Sequence, residues 1–381
     1  MRKFRLAIIS ALVIVGGWIF VGAMYSVPAR SQSGRLVLEP IVHEAYDVTK
    51  IDREIAFHER RVQRDPQGSI GFKMLAEAYL ARSRESDAHE FAWKAEEAAR
   101  KSLALRIKMN QEAWAKLIQA LLEQHRFQDA LVEVDLALSK FSLDRPLTAL
   151  RADILVEIGR LDEAELLLKD FSRKDEDPSF MAIQARIASS RGDHAMAIEI
   201  LNVAEGLVKG NAAVGQTAIA WYQIKIANEF EAQGKNEQAI KEFQSALALY
   251  PRSYKATLGM MRTAAVAKDW RACIQWAEKT LDITNSLDAV ASKADAEMAL
   301  GMVSEAKAGY KRVGQMFDDQ VAQMSSLNKG GPFSVRPMDR QFATFAEKHG
   351  MFKDEAVGAA KRDMANRPGP IANLDHKVPS K

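Results

Sequence analysis

Hydrophobic and polar positions divide this chain into three regimes. Met1-Arg-Lys-Phe-Arg5 is followed by residues without charge from Leu6 to Ala29. The most apolar part, Leu6–Tyr25, is 20 residues long, enough for a helix to cross the hydrocarbon core of a bilayer. The first regime, 1–29, is therefore expected to be a transmembrane signal anchor. A cleaved signal peptide is the alternative, with Val27 and Ala29 as the small residues before the cut. Its apolar region would run for about 7–15 residues, shorter than the one here. Arg2, Lys3 and Arg5 crowd one end of the apolar run, while Arg30 and Arg35 are spread beyond the other. That asymmetry places the N-terminus in the cytoplasm and the remainder outside it, in the periplasm if the cell has two membranes.

The second regime, 30–68, opens with a Ser/Gln/Gly linker at 31–34. A lead-in helix over 49–64 follows and ends at Asp65-Pro66, because proline breaks helices.

The third regime repeats itself. Small residues recur at Ala95, Ala130, Ala164, Ala197, Ala239, Cys273, Ala306 and Ala356, at intervals of 35, 34, 33, 42, 34, 33 and 50. Helices of one hairpin approach closely only where side chains are small, so the slot has a packing reason. Just ahead of it stand Gly159, Gly192, Gly234 or Gly301, suited to end a first helix in the left-handed conformation. Asp162, Asn236 and Ser304 are expected to cap second helices. This predicts eight helical hairpins, at 69–110, 111–144, 145–177, 178–219, 220–253, 254–286, 287–336 and 337–370, with a tail at 371–381. Two inserts, near 206–217 and 318–337, interrupt the period and are expected to be spacers, helix extensions or functional loops.

In 220–253, Phe230, Ala239, Phe243, Ala246 and Pro251 keep fixed offsets. In pattern they resemble the tetratricopeptide repeat family, and Trp114 and Leu117 stand where that family has its leading Trp and Leu. The resemblance implies an all-α, right-handed α-solenoid whose first helices line an inner face that receives peptides or helices. One position on the first helices is polar in seven units: Glu77, Gln119, Asp153, Arg186, Asn228, Arg262 and Asp295. Phe345 takes the eighth. In the family this position tends to face the groove, so the stripe is the candidate partner-binding surface. The alternative is a solvated stripe that keeps the array soluble. Arg186 and Arg262 are the candidate donors to a partner's carboxylates or carbonyls, and replacing both is expected to leave the melting temperature nearly unchanged.

Composition narrows the function. A net charge of +3, with acids interleaved among bases, gives no pull towards nucleic acid. One cysteine, Cys273, excludes an intrachain disulfide and a cysteine-based zinc cluster. His58-Glu59 and His89-Glu90 begin like a metalloprotease helix, but Val62 and Trp93 occupy the second histidine's place. Gly234-Lys235 lacks the Ser/Thr and the upstream glycine of a phosphate loop. No nucleophile motif stands out, and with 11 residues after Pro370 no catalytic domain is expected. A non-catalytic, membrane-tethered protein-interaction scaffold without cofactor or metal is expected. The alternatives are a structural subunit of an envelope secretion or biogenesis complex, or a secreted repeat protein. The last helix, with Ala356, Val357, Ala360 and Met364, is mildly apolar, so the C-terminal end is expected to fray or to dock on a partner or a second copy.

Overall fold

Small residues, left-handed turns and capping side chains drive this chain into one helical hairpin after another. The computed structural model describes residues 48–367, apart from 87–88, 173–176, 212–214 and 328–337. The expected anchor and the tail at 371–381 lie outside the described residues. Among the described residues the regular elements are all helices, and none is long and apolar enough to cross a membrane.

A lead-in helix, α1 (Val48–Arg64), precedes eight pairs. They are α2 (Ser69–Ser86) with α3 (His89–Leu105), α4 (Gln111–Glu123) with α5 (Phe127–Lys140), and α6 (Arg145–Glu157) with α7 (Leu161–Ser172). Then come α8 (Pro178–Ser190) with α9 (His194–Lys209), α10 (Gln216–Ala232) with α11 (Asn236–Leu249), and α12 (Tyr254–Val266) with α13 (Trp270–Leu281). The last two are α14 (Leu287–Ala299) with α15 (Val303–Leu327) and α16 (Asp339–His349) with α17 (Lys353–Asn366). Part of the insert after residue 318 is a helix extension, since α15 runs for 25 residues.

From the second hairpin on, the turn inside each pair follows one rule. The first helix closes with a hydrogen bond from an amide to the carbonyl five residues back, as in Arg160 to Leu155 at 2.8 Å and Lys235 to Phe230 at 2.9 Å. Asp193, Met302 and Met351 make the same bond. The residue before it is left-handed, as in Gly159 (φ 79°) and Gly234 (φ 71°). Two turns reach this geometry without glycine, through His125 (φ 56°) and Lys268 (φ 57°), at a steric cost of about 1–2 kcal/mol each.

Second-helix capping differs from expectation. Asn236 begins α11 itself and Lys235, at the N-cap, offers no side-chain bond. Asp162 and Ser304 also lie inside the first turns of α7 and α15. Asp193 and Asp269, each immediately before the first helical residue, do cap α9 and α13 through the amides of Met196 and Ala272. An acceptor must precede the first helical residue to reach those amides.

The small slot sits at the closest approach of each pair. Ala95, Ala130, Ala164, Ala197, Ala239, Cys273 and Ala306 show no exposed surface. In the eighth pair the slot is Ala359, while Ala356 is half-buried. Phe352, packed on Phe342 and Phe345, fills the space by the first turn of α17 and defers the close contact by one turn. Between hairpins, Phe243 is fully buried against Gly259, where a Cβ would fall 2.1 Å from its ring.

Distant hairpins also meet. Tyr250 donates its hydroxyl to Glu85, Thr284 donates to the Ser86 carbonyl, and Gln323 donates to Glu90. All three hold residues at the facing ends of α2 and α3.

Candidate protein-binding face

The first helices of successive hairpins pack side by side: α2 on α4, α4 on α6, α6 on α8, α10 on α12, α12 on α14 and α14 on α16. This brings the expected polar stripe into register. Arg186 on α8 donates to Asp153 and, at 2.6 Å, to Glu157, both on α6. Arg262 donates to Asn228 at 3.0 Å and pairs with Glu231, both on α10. Glu77 receives Lys116 at 3.2 Å, and Gln119 accepts from Arg84 at 3.5 Å. Asp295 accepts from Tyr310 at 2.9 Å and from Lys348 at 2.6 Å. Phe345 is buried in the last hairpin beside Tyr310. The stripe is thus a ladder of bonds, most running from one hairpin to the next. Both arginines spend their forked donors on neighbouring hairpins, so a partner has to share or displace these bonds.

Burial acts unevenly on this ladder. It pushes the Asp153 carboxyl up, and Arg186 draws it only partly back. Burial also opposes the charge on Glu157, but Arg186 and Arg367 outweigh it and hold that carboxyl below its usual range. Lys225 on α10 lies near the same group. Burial, aided by Lys255 and Arg186, lowers its ammonium from 10.5 to about 8. Its ammonium lies 5.2 Å from the centroid of the Trp221 ring.

A hollow of about 270 Å³ opens beside this group, lined by Gln119, Leu122, Glu123, His125, Phe127, Asp153, Glu157 and Arg367. Sequence reasoning found Gln119 and Asp153 but missed Glu157 and Lys225, which also stand on first helices. Arg367 arrives from the last hairpin and has no local signal. The lining offers carboxylates, an amide, a guanidinium and an aromatic ring, which suit hydrogen bonding to a polypeptide segment.

Chemistry of other kinds has little footing. Cys273 is fully buried, and burial pushes its thiol up to about 11, away from reactive thiolate. Glu59 accepts from the Tyr79 hydroxyl at 2.7 Å, and burial lowers the pKa of its neighbour His58. Gly234-Lys235 forms the left-handed turn between α10 and α11. Among the described residues no group of three His, Cys, Asp or Glu is placed to hold a metal.

The family model for the tetratricopeptide repeat matches residues 224–286, which hold most of α10 and all of α11 to α13. This stretch is similar to the tetratricopeptide repeat. It contains the buried Ala239, Phe243, Ala246 and Cys273 and the Phe243–Gly259 contact. No curated protein matches the chain. Among solved structures, it is similar to a tetratricopeptide repeat protein from Parabacteroides merdae. There the identity is 14%, the TM-score 0.44, and the match covers 67% of this chain and 99% of that one. It is also similar to pilF of Pseudomonas aeruginosa, with 17% identity, a TM-score of 0.39 and coverage of 60% and 96%.

Proposed function

We propose that this protein is a non-catalytic scaffold that captures a segment of another protein on the face made by its first helices. The observation that carries the reading is the polar ladder along that face, beside a hollow rich in hydrogen-bonding groups. Stacked repeats present such a surface over many residues, and its mixed charges favour polypeptide over a ligand of one sign. The stripe Glu77, Gln119, Asp153, Arg186, Asn228, Arg262 and Asp295 is the proposed contact surface. Affinity capture with the full chain from detergent-solubilised membranes, read by mass spectrometry, tests the reading. The Asp153→Asn and Asn228→Ala variants are each expected to lose the main captured protein at unchanged folding. Unchanged capture would contradict the assignment of the face.

The scaffold is further proposed to be tethered by Leu6–Tyr25, with its repeats outside the cytoplasm. A reporter fused after Lys381 is then active only outside the cytoplasm, and the protein resists carbonate extraction. Release of a species starting near Arg30 would replace the tether with secretion.

A further inference from the structure

The turn between α4 and α5 has unfinished hydrogen bonding of its own. Phe127 is the first residue of α5, so its amide has no carbonyl partner within the helix and needs an acceptor from elsewhere. His125 before it is left-handed, and its carbonyl accepts from outside these two helices. Both groups are met by one residue 239 to 241 positions away. Asn366, at the end of α17, accepts from the Phe127 amide with its Oδ1 at 3.2 Å. It also donates its Nδ2 to the His125 carbonyl. Asn366 is only 4% exposed, so the amide side chain is committed to this turn.

The next residue completes the seat. The guanidinium of Arg367 lies over the Phe127 ring at 4.6 Å from its centroid. It also faces Glu157 on α6 at 3.9 Å and Asp363 of its own helix at 3.6 Å. Arg367 thereby stands in the hollow bounded by Gln119, Asp153 and Glu157. A two-residue Asn–Arg element is read by a backbone carbonyl, a backbone amide, an aromatic face and a carboxylate. The last hairpin thus fills part of the face on which a partner would lie.

We propose that the α4–α5 turn, with Phe127 and Glu157, is a binding site for a helix end carrying an asparagine–arginine pair. The chain's own residues 366–367 occupy it as a latch. A partner helix presenting the same pair displaces the latch and gains access to the hollow. This rests on the reading of the face as protein-binding and adds the chemistry of its occupant. A latch closed most of the time weakens the apparent affinity for any competitor by the fraction of time that it is open.

The test uses a fluorescein-labelled synthetic peptide of residues 353–367 and the full chain in detergent, read by fluorescence anisotropy. With Asn366→Ala and Arg367→Ala combined, the vacated site is expected to bind the peptide about tenfold more tightly than the unaltered chain does. Adding Glu157→Gln, which lies on the receiving side only, is expected to remove most of that gain. A peptide bearing both alanines is expected to show no gain. Equal affinity for the unaltered and double-variant chains overturns the proposal. So does a gain that survives Glu157→Gln, because the peptide would then be replacing α17 beside α16. Should the double variant unfold, Arg367→Ala alone carries the same comparison, with a smaller expected gain. These outcomes are read separately from partner capture along the stripe, which Asn228→Ala reads at a residue on α10.

Discussion

Arg186 and Glu157 face each other across α8 and α6 at 2.6 Å, and the same guanidinium holds Asp153. Removing the arginine leaves two largely enclosed carboxylates without their main cation. Arg186→Ala is therefore expected to cost about 1–3 kcal/mol in urea unfolding. The Arg262 side chain is 46% exposed against 29% for Arg186, so solvent screens its pair better. Arg262→Ala is expected to cost less than about 1 kcal/mol. The expectation that replacing both leaves the melting temperature nearly unchanged takes no account of these bonds between hairpins. Equal costs for the two variants would mean that the ladder does not hold the hairpins together.

Lys225 predicts a pH dependence of definite sign. Burial lowers its ammonium to about 8 from 10.5, so between those values the folded chain binds fewer protons than the unfolded one. Stability contributed at this site therefore rises with pH across that window, while below it the penalty for the buried charge is fully present. The charged neighbours that set it are Lys255, Arg186, Asp153 and Glu157. Lys225→Met is expected to stabilise the protein at neutral pH and to lose that advantage as the pH climbs through the window. Comparing unaltered and variant chains by urea unfolding cancels the other lysines and the tyrosines. A stabilisation independent of pH would show that packing, not charge, distinguishes the variant.

Ala239 is fully enclosed between α10 and α11, and Gly259 lies under the Phe243 ring. Ala239→Leu and Gly259→Ala each force a bulky group into occupied space and are expected to cost about 1–3 kcal/mol. Lys241→Ala, on the exposed side of α11, is expected to change stability by less than about 0.5 kcal/mol. Thermal unfolding by calorimetry ranks the three, and a harmless Ala239→Leu would mean that the pair is not closely packed there.

What could be read from the sequence is what repeats. Ala130, Ala164 and Ala239 recur because each hairpin needs the same close approach, and a local packing rule leaves a periodic trace. Gly159 and Gly234 mark turns for the same reason. His125 and Lys268 were harder, because they hold the left-handed position without the residue that announces it. Their distance from Ala130 and Cys273 was the available signal. Asp153 and Arg186, opposite in charge and 33 positions apart, also carried a trace of the ladder. The Asn366–His125 contact carried none, since a single pairing between distant hairpins has no period. It places the end of α17 on the chain's own second hairpin, where an end that frays or docks on a partner or a second copy was expected. Ala359 was missed because Phe352 has no counterpart in the other turns.

The central claim, that the first-helix face captures a protein segment, is tested most directly by site-specific photocrosslinking of the full chain in cells. A photoreactive phenylalanine analogue is placed at Gln119 or Asn228 on first helices, and at Val132 or Leu166 on exposed second-helix surface. Adducts are then identified by mass spectrometry. The account predicts one recurrent protein adduct from the first-helix positions that is absent from the second-helix positions. Adducts from Val132 and Leu166 alone, with none from Gln119 and Asn228, would contradict it.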